Sequence, residues 1–301
     1  MRPVRFRKRR LAGMAVTAAV VLTGVAVSGV PNALAATRST RFAGTYVALG
    51  DSYTAGPGIA NQRKNAGSCA RSDHNYPTLV AQSIKPTGFT DVSCSGALTT
   101  AMTTSFLNQP PQFNALNART RLVTVGIGGN DAGFAPDTVT CGLLFFTNPN
   151  GAPCKAHFTQ GGKDQLDTAI QQVGPKVAAV LKGIHQRAPK ARVLLIGYPD
   201  LLPNSKAKCN ANIQVPISTG DFPYLESKIR ELNSVLRTRA AQNHATYVDT
   251  FTSSVGHDLC QAPGTRWIEG ILNVQNAIPV HPNALGMRND ARQILAALRR
   301  R

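Results

Sequence analysis

Acyl transfer to a serine needs an exposed hydroxyl, a base that can take its proton near neutral pH, and N–H donors aimed at the oxygen that turns negative. Candidates for these parts are scattered along the chain. Ser52 stands in Gly50-Asp51-Ser52-Tyr53, Gly96 in Cys94-Ser95-Gly96-Ala97, and Asn130 in Gly128-Gly129-Asn130-Asp131. Ser52 is the expected nucleophile, with its own N–H as one donor from the start of a helix. The backbone N–H of Gly96 and the side-chain amide of Asn130 supply two more. Removing one such donor typically costs about 10²–10³ in rate. The base should be a histidine. The six are His74, His157, His185, His244, His257 and His281. His185 and His244 end helical patterns, where an imidazole complements the helix dipole. His74 and His157 lie in polar loops, His257 adjoins Asp258, and His281 opens a His-Pro-Asn segment ahead of the last helical pattern. Residue type alone does not choose among them.

These groups can meet only if the fold gathers them. Five short runs rich in apolar and β-branched residues cover 45–49, 89–92, 122–127, 193–196 and 246–248. Such near-continuous apolar runs suit strands buried on both faces of a parallel sheet. Helical periodicity covers 76–84, 164–186, 222–242 and 284–300, and Gly174-Pro175 is expected to kink or split the second of these. Strands alternating with helices predict a three-layer α/β/α sandwich around a five-stranded parallel sheet. In such folds working residues sit on loops at the carboxyl ends of strands. Ser52, Gly96 and Asn130 each follow a predicted strand.

The chain opens with Arg5, Arg7, Lys8, Arg9 and Arg10, then an uncharged apolar segment over 11–30, then Ala33-Leu34-Ala35. This is the layout of a secretory signal peptide, with cleavage expected near Ala35. Residues 36–301 then form one domain and the protein is secreted and extracellular. Arg9-Arg10 leaves the twin-arginine route open beside the general one, although the residues after the pair fit that motif poorly. The leader holds six of the 33 basic residues and none of the 15 acidic ones, leaving a net charge of +12. That balance suits an anionic lipid or cell-wall surface, or only keeps the protein soluble. No zinc-finger, RNP or aromatic-basic pattern points to nucleic acid. Residues 36–301 are long enough to bury a core alone, and a monomer is expected.

The 6 cysteines, Cys69, Cys94, Cys141, Cys154, Cys209 and Cys260, all follow the leader. An even number in an exported chain predicts three disulfides, with pairing left open by spacing. The chain lacks C-x-x-C, G-x-S-x-G, G-x-x-x-x-G-K-[ST], H-E-x-x-H and a G-x-G-x-x-G after the first strand. The proposed chemistry needs no cofactor and no metal.

Taken in order, Gly50-Asp51-Ser52, Gly96, Gly128-Gly129-Asn130-Asp131 and His281-Pro282 resemble the blocks of the SGNH (GDSL-type) hydrolases. Further stretches, among them Tyr46-Val47-Ala48-Leu49, Ala70-Arg71-Ser72, Tyr76-Pro77, Gly197-Tyr198-Pro199 and Gly256-His257-Asp258-Leu259-Cys260, are similar to secreted actinobacterial lipases and esterases of that family. The resemblance implies a flavodoxin-like fold and hydrolysis of acyl esters or thioesters. It assigns the nucleophile to Ser52, the base to His281 and the oxyanion donors to Ser52, Gly96 and Asn130. It also implies the pairs Cys69–Cys94, Cys141–Cys154 and Cys209–Cys260. The sequence departs from the pattern in one place. Many members carry Asp three residues before the histidine, and here that residue is Ile278. A backbone carbonyl, most simply that of Ile278, is then expected to orient the imidazole in a Ser-His dyad. Asp249, after the fifth strand, is the rival.

Leu143-Leu144-Phe145-Phe146 falls in a predicted loop between Cys141 and Cys154 and forms either one wall of an acyl groove or a patch of core. Trp267 either lines the cleft or anchors a core. The substrate expected is a lipid ester of medium or long acyl chain. The alternatives are an O-acetyl esterase acting on extracellular polysaccharide and a non-catalytic binding module on the same scaffold.

Overall fold

The computed structural model describes residues 42–272 and 274–300. The leader expected over 1–35 lies outside them. Five strands, β1 (Thr45–Gly50), β2 (Gly88–Asp91), β3 (Thr120–Gly126), β4 (Arg192–Ile196) and β5 (Thr246–Val248), form one parallel sheet in the order β2-β1-β3-β4-β5. Interleaved with them are α1 (Ser52–Ala55), α2 (Tyr76–Ile84), α3 (Phe134–Leu144), α4 (Pro153–Phe158), α5 (Gln165–Arg187), α6 (Phe222–Gln242) and α7 (Ala284–Arg299).

Alternate residues of each strand enter different cores, as the two-residue period of a strand requires. Val47, Leu49, Val123, Val125, Val193 and Leu195 pack with the inner stripes of α5 and α6. Tyr46, Ala48, Leu122, Leu194, Ile196 and Val248 pack with Tyr76 and Val80 of α2 and Met287, Ala291 and Ile294 of α7. This is the expected three-layer sandwich. A third core gathers Leu202, Ile217, Phe222 and Leu259 around the buried sulfurs of Cys141, Cys154 and Cys260. Disulfides join Cys69–Cys94, Cys141–Cys154 and Cys209–Cys260. Among the described residues no helix is long and apolar enough to cross a membrane.

Two expectations need correction. Helix α5 runs through Pro175 without a break. Ile170, Val173, Val177, Leu181 and Ile184 are all buried on one stripe, and that burial outweighs the hydrogen bond a proline forfeits. The stretch holding Leu143 and Leu144 is not a loop but the last turn of α3. The helix carries no periodic signal in the sequence because Val139 and Leu143 face outward, so it lacks an apolar-in, polar-out stripe.

Strand β1 ends at a crowded point. Its register places Gly50 beside Gly126 of β3. A Cβ on Gly50 would lie 2.2 Å from Thr54 Oγ1 and 2.6 Å from the Gly126 carbonyl, so only glycine fits. The buried Gln112 side chain then closes on this residue from both sides. Gly50 N–H donates to Gln112 Oε1 at 2.8 Å, and Gln112 Nε2 donates to the Gly50 carbonyl at 2.9 Å. Replacing this amide with an isosteric apolar group leaves a buried N–H unpaired, which typically costs about 1–3 kcal/mol. Gln112→Leu is expected to lower the unfolding free energy by about that amount, measured by urea denaturation at constant m-value.

Candidate active site

The chain leaves β1 through a sharp turn capped by its own aspartate. Asp51 N–H donates to the Gly126 carbonyl at 2.9 Å, and Asp51 Oδ1 accepts the Tyr53 N–H at 2.9 Å as the N-cap of α1. Ser52 therefore occupies the first helical position, where an N–H has no partner inside the helix. No acceptor among the described residues takes it. The Asp51 Oδ2 accepts from the Tyr198 hydroxyl at 2.5 Å, and that hydroxyl accepts the Gly129 N–H at 2.8 Å. One tyrosine at the end of β4 thus ties the Ser52 turn to the Gly128–Asp131 turn. Burial pushes the Asp51 carboxyl up to about 7 against the opposing pull of the Tyr198 and Tyr53 hydrogen bonds.

His281 reaches Ser52 from the far end of the chain. Its Nε2 lies 2.8 Å from Ser52 Oγ, and its Nδ1 lies 2.8 Å from the Pro279 carbonyl. A carbonyl can only accept, so Nδ1 carries the hydrogen and Nε2 presents its lone pair to the hydroxyl. Burial holds this imidazole below the ordinary histidine range, and the Pro279 carbonyl offsets part of that effect.

The orienting carbonyl is that of Pro279, not of Ile278 as expected. The Ile278 carbonyl is occupied by the His281 N–H at 3.3 Å, which closes a four-residue turn. Pro279 stands second in that turn, and Val280 stands third with φ +62°. That is the layout of a type II turn, in which the carbonyl of the second residue is free to face outward from the turn. Here it faces the imidazole. Asp249, the rival, is tied to Thr252 and Arg237 at the end of β5 and lines no part of the serine–histidine cavity.

A β-branched residue at positive φ is rare, and Val280 is held there from three directions. Its N–H donates to the Glu269 carbonyl at 3.0 Å, the Glu269 N–H donates to the His281 carbonyl at 2.9 Å, and its own carbonyl accepts the Tyr53 hydroxyl at 2.6 Å. Beneath this loop the buried Glu269 carboxylate accepts from Arg266 at 2.7 Å, from the Gln275 N–H at 3.1 Å and from Asn283 at 3.2 Å. The Tyr53 ring also lies against the His281 ring, with centroids 4.8 Å apart.

Asn130 shares a cavity with Ser52 and His281. Its Nδ2 donates one hydrogen to the Ala97 carbonyl at 2.9 Å, leaving the other for a ligand. Its neighbour Asp131 accepts the Thr99 N–H at 2.8 Å and the Thr99 hydroxyl at 2.7 Å, so this pair holds the Gly96 loop. Gly96 itself, at φ +79°, is outside the cavity lining. The N–H groups on either side of it are occupied by the Cys69 and Cys94 carbonyls, both at 3.0 Å. Its own N–H has no acceptor among the described residues. The structure therefore brings Ser52, Asn130 and His281 to one cavity and puts Gly96 in the adjoining turn.

That cavity has a volume of about 480 Å³. Phe134, Val139, Leu143 and Phe146 of α3 and its continuation line it together with Leu201, Pro216, Ile271 and Leu272. A smaller cavity of about 70 Å³ continues behind Phe134, Leu201, Ile271 and Val280. Trp267 lines neither, and stacks instead on His257 at 3.7 Å. Among the described residues no group of three His, Cys, Asp or Glu is placed to hold a metal ion. Tyr53, Tyr198, Pro279 and Val280 join the site without a signal of their own in the sequence. Tyr198 stands in the Gly197-Tyr198-Pro199 stretch with nothing local to mark its bridging hydroxyl, and nothing local marks the sign of φ at Val280.

The model of the GDSL-like lipase/acylhydrolase family matches residues 48–288. The chain is 38% identical over 289 residues to Lipase 2 of Streptomyces coelicolor, covering 94% of this chain and 96% of that one. Among solved structures it is similar to the extracellular lipase of Streptomyces rimosus, with TM-score 0.70 and 32% identity over 84% of this chain and 99% of that one. The phospholipase A1 of Streptomyces albidoflavus NA297 gives TM-score 0.71 and 29% identity over 84% of this chain and 98% of that one.

The Tyr53 hydroxyl holds the Val280 carbonyl and so the turn that aims Pro279 at the imidazole. Tyr53→Phe keeps the ring against His281 but loses that bond. Ester turnover by this variant is expected to fall about tenfold in kcat, equivalent to about 1.4 kcal/mol, with KM within about twofold. Steady-state kinetics on a soluble p-nitrophenyl ester check this split.

Proposed function

The chain belongs to the GDSL-like lipase/acylhydrolase family and is a carboxylic ester hydrolase, and from that premise we propose that it cleaves lipid acyl esters through an acyl-enzyme on Ser52 with His281 as the only base. The observation that carries this reading is the 2.8 Å approach of His281 Nε2 to Ser52 Oγ, with Nδ1–H already committed to the Pro279 carbonyl. Ser52 Oγ attacks the ester carbonyl carbon while Nε2 takes its proton. Negative charge gathers on the carbonyl oxygen, where the N–H groups of Ser52 and Gly96 and the Asn130 amide are proposed to receive it. The intermediate collapses as the imidazolium returns the proton to the departing alcohol. Water then repeats the sequence on the acyl-enzyme and frees the acid. The Pro279 carbonyl stabilises the imidazolium in both halves, the part usually given to a carboxylate.

The apolar walls of the cavity support an acyl chain of medium or long length over an acetyl group on a sugar. A saccharide site needs many fixed polar partners, whereas this one is lined chiefly by Phe, Leu, Val and Ile beyond the reacting groups. Export to the extracellular space belongs to the same proposal. It rests on the basic and apolar leader ending in Ala33-Leu34-Ala35 and on three disulfides, which persist in oxidising compartments.

A fluorophosphonate probe is expected to label the protein, and Ser52→Ala to abolish both labelling and hydrolysis. A non-catalytic module would not label. Across p-nitrophenyl esters of increasing length, kcat/KM should peak at medium or long chains. Activity confined to acetate and acetylated polysaccharide would overturn the lipid reading.

The base must be neutral to act, and burial holds the His281 pKa below its ordinary 6.5. Lower pH protonates it, so activity is lost as pH falls through that value. The acid limb of kcat/KM should follow one group titrating below 6.5, measured with a substrate that does not itself ionise in that range.

A further inference from the structure

Four exposed large apolar side chains line the cleft, and two more lie close to them in sequence. Val139, Leu143 and Phe146 are 63%, 67% and 75% exposed, and Leu272, Val274 and Ile278 are 58%, 39% and 38% exposed. The first three are spaced four and three residues apart, so α3 and its continuation present them as one stripe. Cys141, on the opposite side of the same helix, is buried and disulfide-bonded to Cys154, which holds the stripe outward. The other three belong to the segment that leads to His281, where Leu272 lines the cavity. Soluble proteins seldom leave apolar side chains clustered this way unless something covers them.

Charge narrows what that cover is. Residues 138–154 and 270–280 contain no charged side chain, although the chain as a whole has net charge +18. The two rims are neutral on a protein that is otherwise strongly basic. Val139, Leu143, Phe146 and Leu272 also line the cavity that holds Ser52 and His281. A protein seated on these rims would close that cavity, whereas an assembled lipid would deliver an ester through it.

We propose that the two rims form an interfacial docking surface that inserts into aggregated acyl lipid, with the basic remainder of the surface drawing the protein toward anionic headgroups. Apolar insertion supplies the short-range binding. Long-range attraction raises encounter with the surface and is screened by salt. The inference rests on the acyl-ester reading of the cleft, but its test does not depend on catalysis.

Ser52→Ala protein is mixed with vesicles of ether-linked phosphatidylcholine, with and without ether-linked phosphatidylglycerol, and the bound fraction is measured by sedimentation. Binding to pure phosphatidylcholine at high salt is expected, and Leu143→Ser and Phe146→Ser should each weaken it about tenfold. Phe146→Trp keeps an aromatic at the rim, and its emission should shift to the blue on adding vesicles while that of the parent, from Trp267, does not. Unchanged binding in the serine variants would overturn the proposal. So would binding that needs phosphatidylglycerol and disappears with salt, which would indicate charge adsorption alone. A dimer that Phe146→Ser converts to a monomer, without vesicle binding by the parent, would instead make the face a contact between copies. Loss of fluorophosphonate labelling in the Ser52-intact enzyme would sink the acyl-enzyme reading and leave the vesicle result standing.

Discussion

The left-handed backbone of Val280 is the constraint on which the rest of the site depends. Such a conformation costs a β-branched residue of order 1–3 kcal/mol, and it persists only when its surroundings over-determine it. The Glu269 carbonyl, the Tyr53 hydroxyl and the buried Arg266–Glu269 pair supply that surplus. With φ at +62° the Pro279 carbonyl meets His281 Nδ1, and Nε2 meets Ser52. In the ordinary negative-φ region the turn would differ and that carbonyl would be aimed elsewhere. The imidazole would then have no fixed tautomer. A proline in the second position of the turn and a buried acidic anchor thus place a main-chain oxygen where a triad would place a carboxylate.

The sheet order explains why such distant residues can meet. In β2-β1-β3-β4-β5 the chain reverses direction across the sheet between β1 and β3, and crevices in open α/β folds form outside the carboxyl ends of the strands at that point. Ser52 leaves β1 there and Asn130 follows β3. Tyr198, from the end of β4, bridges their two turns through Asp51 and Gly129. The Asp51 of the Gly-Asp-Ser block is a helix cap and the acceptor for that bridge, which accounts for its burial without giving it any role in proton transfer.

The walls of the cleft come from outside the sheet. Helix α3 and the segment after β4 rest on the third core, where the Cys141–Cys154 bridge ties α3 to α4 and the Cys209–Cys260 bridge ties the segment after β4 to the one after β5. Cross-links of this kind stabilise largely by restricting the unfolded chain. They allow α3 to expend apolar side chains on the cleft and its rim rather than on a core of its own.

Much of the fold was legible in the sequence. A strand buried on both faces must be apolar at nearly every position, which marked the central strands β1, β3 and β4, while the half-exposed edge strands β2 and β5 showed as short runs rich in aromatic and β-branched residues. The glycine-flanked polar groups at their carboxyl ends likewise singled out the turns that hold Ser52, Gly96 and Asn130, of which Ser52 and Asn130 line the cavity and Gly96 does not. Tertiary structure decided the rest. Whether the Ile278 or the Pro279 carbonyl meets the His281 ring turns on the sign of one dihedral, set by Tyr53 and Glu269 from elsewhere in the chain. Whether residues 143–146 form loop or helix, and whether they face water or core, turns on packing around a distant disulfide. Local pattern records which residues must be buried or small; it does not record the direction in which a particular carbonyl or side chain points, because that direction is imposed by contacts between segments far apart in the chain.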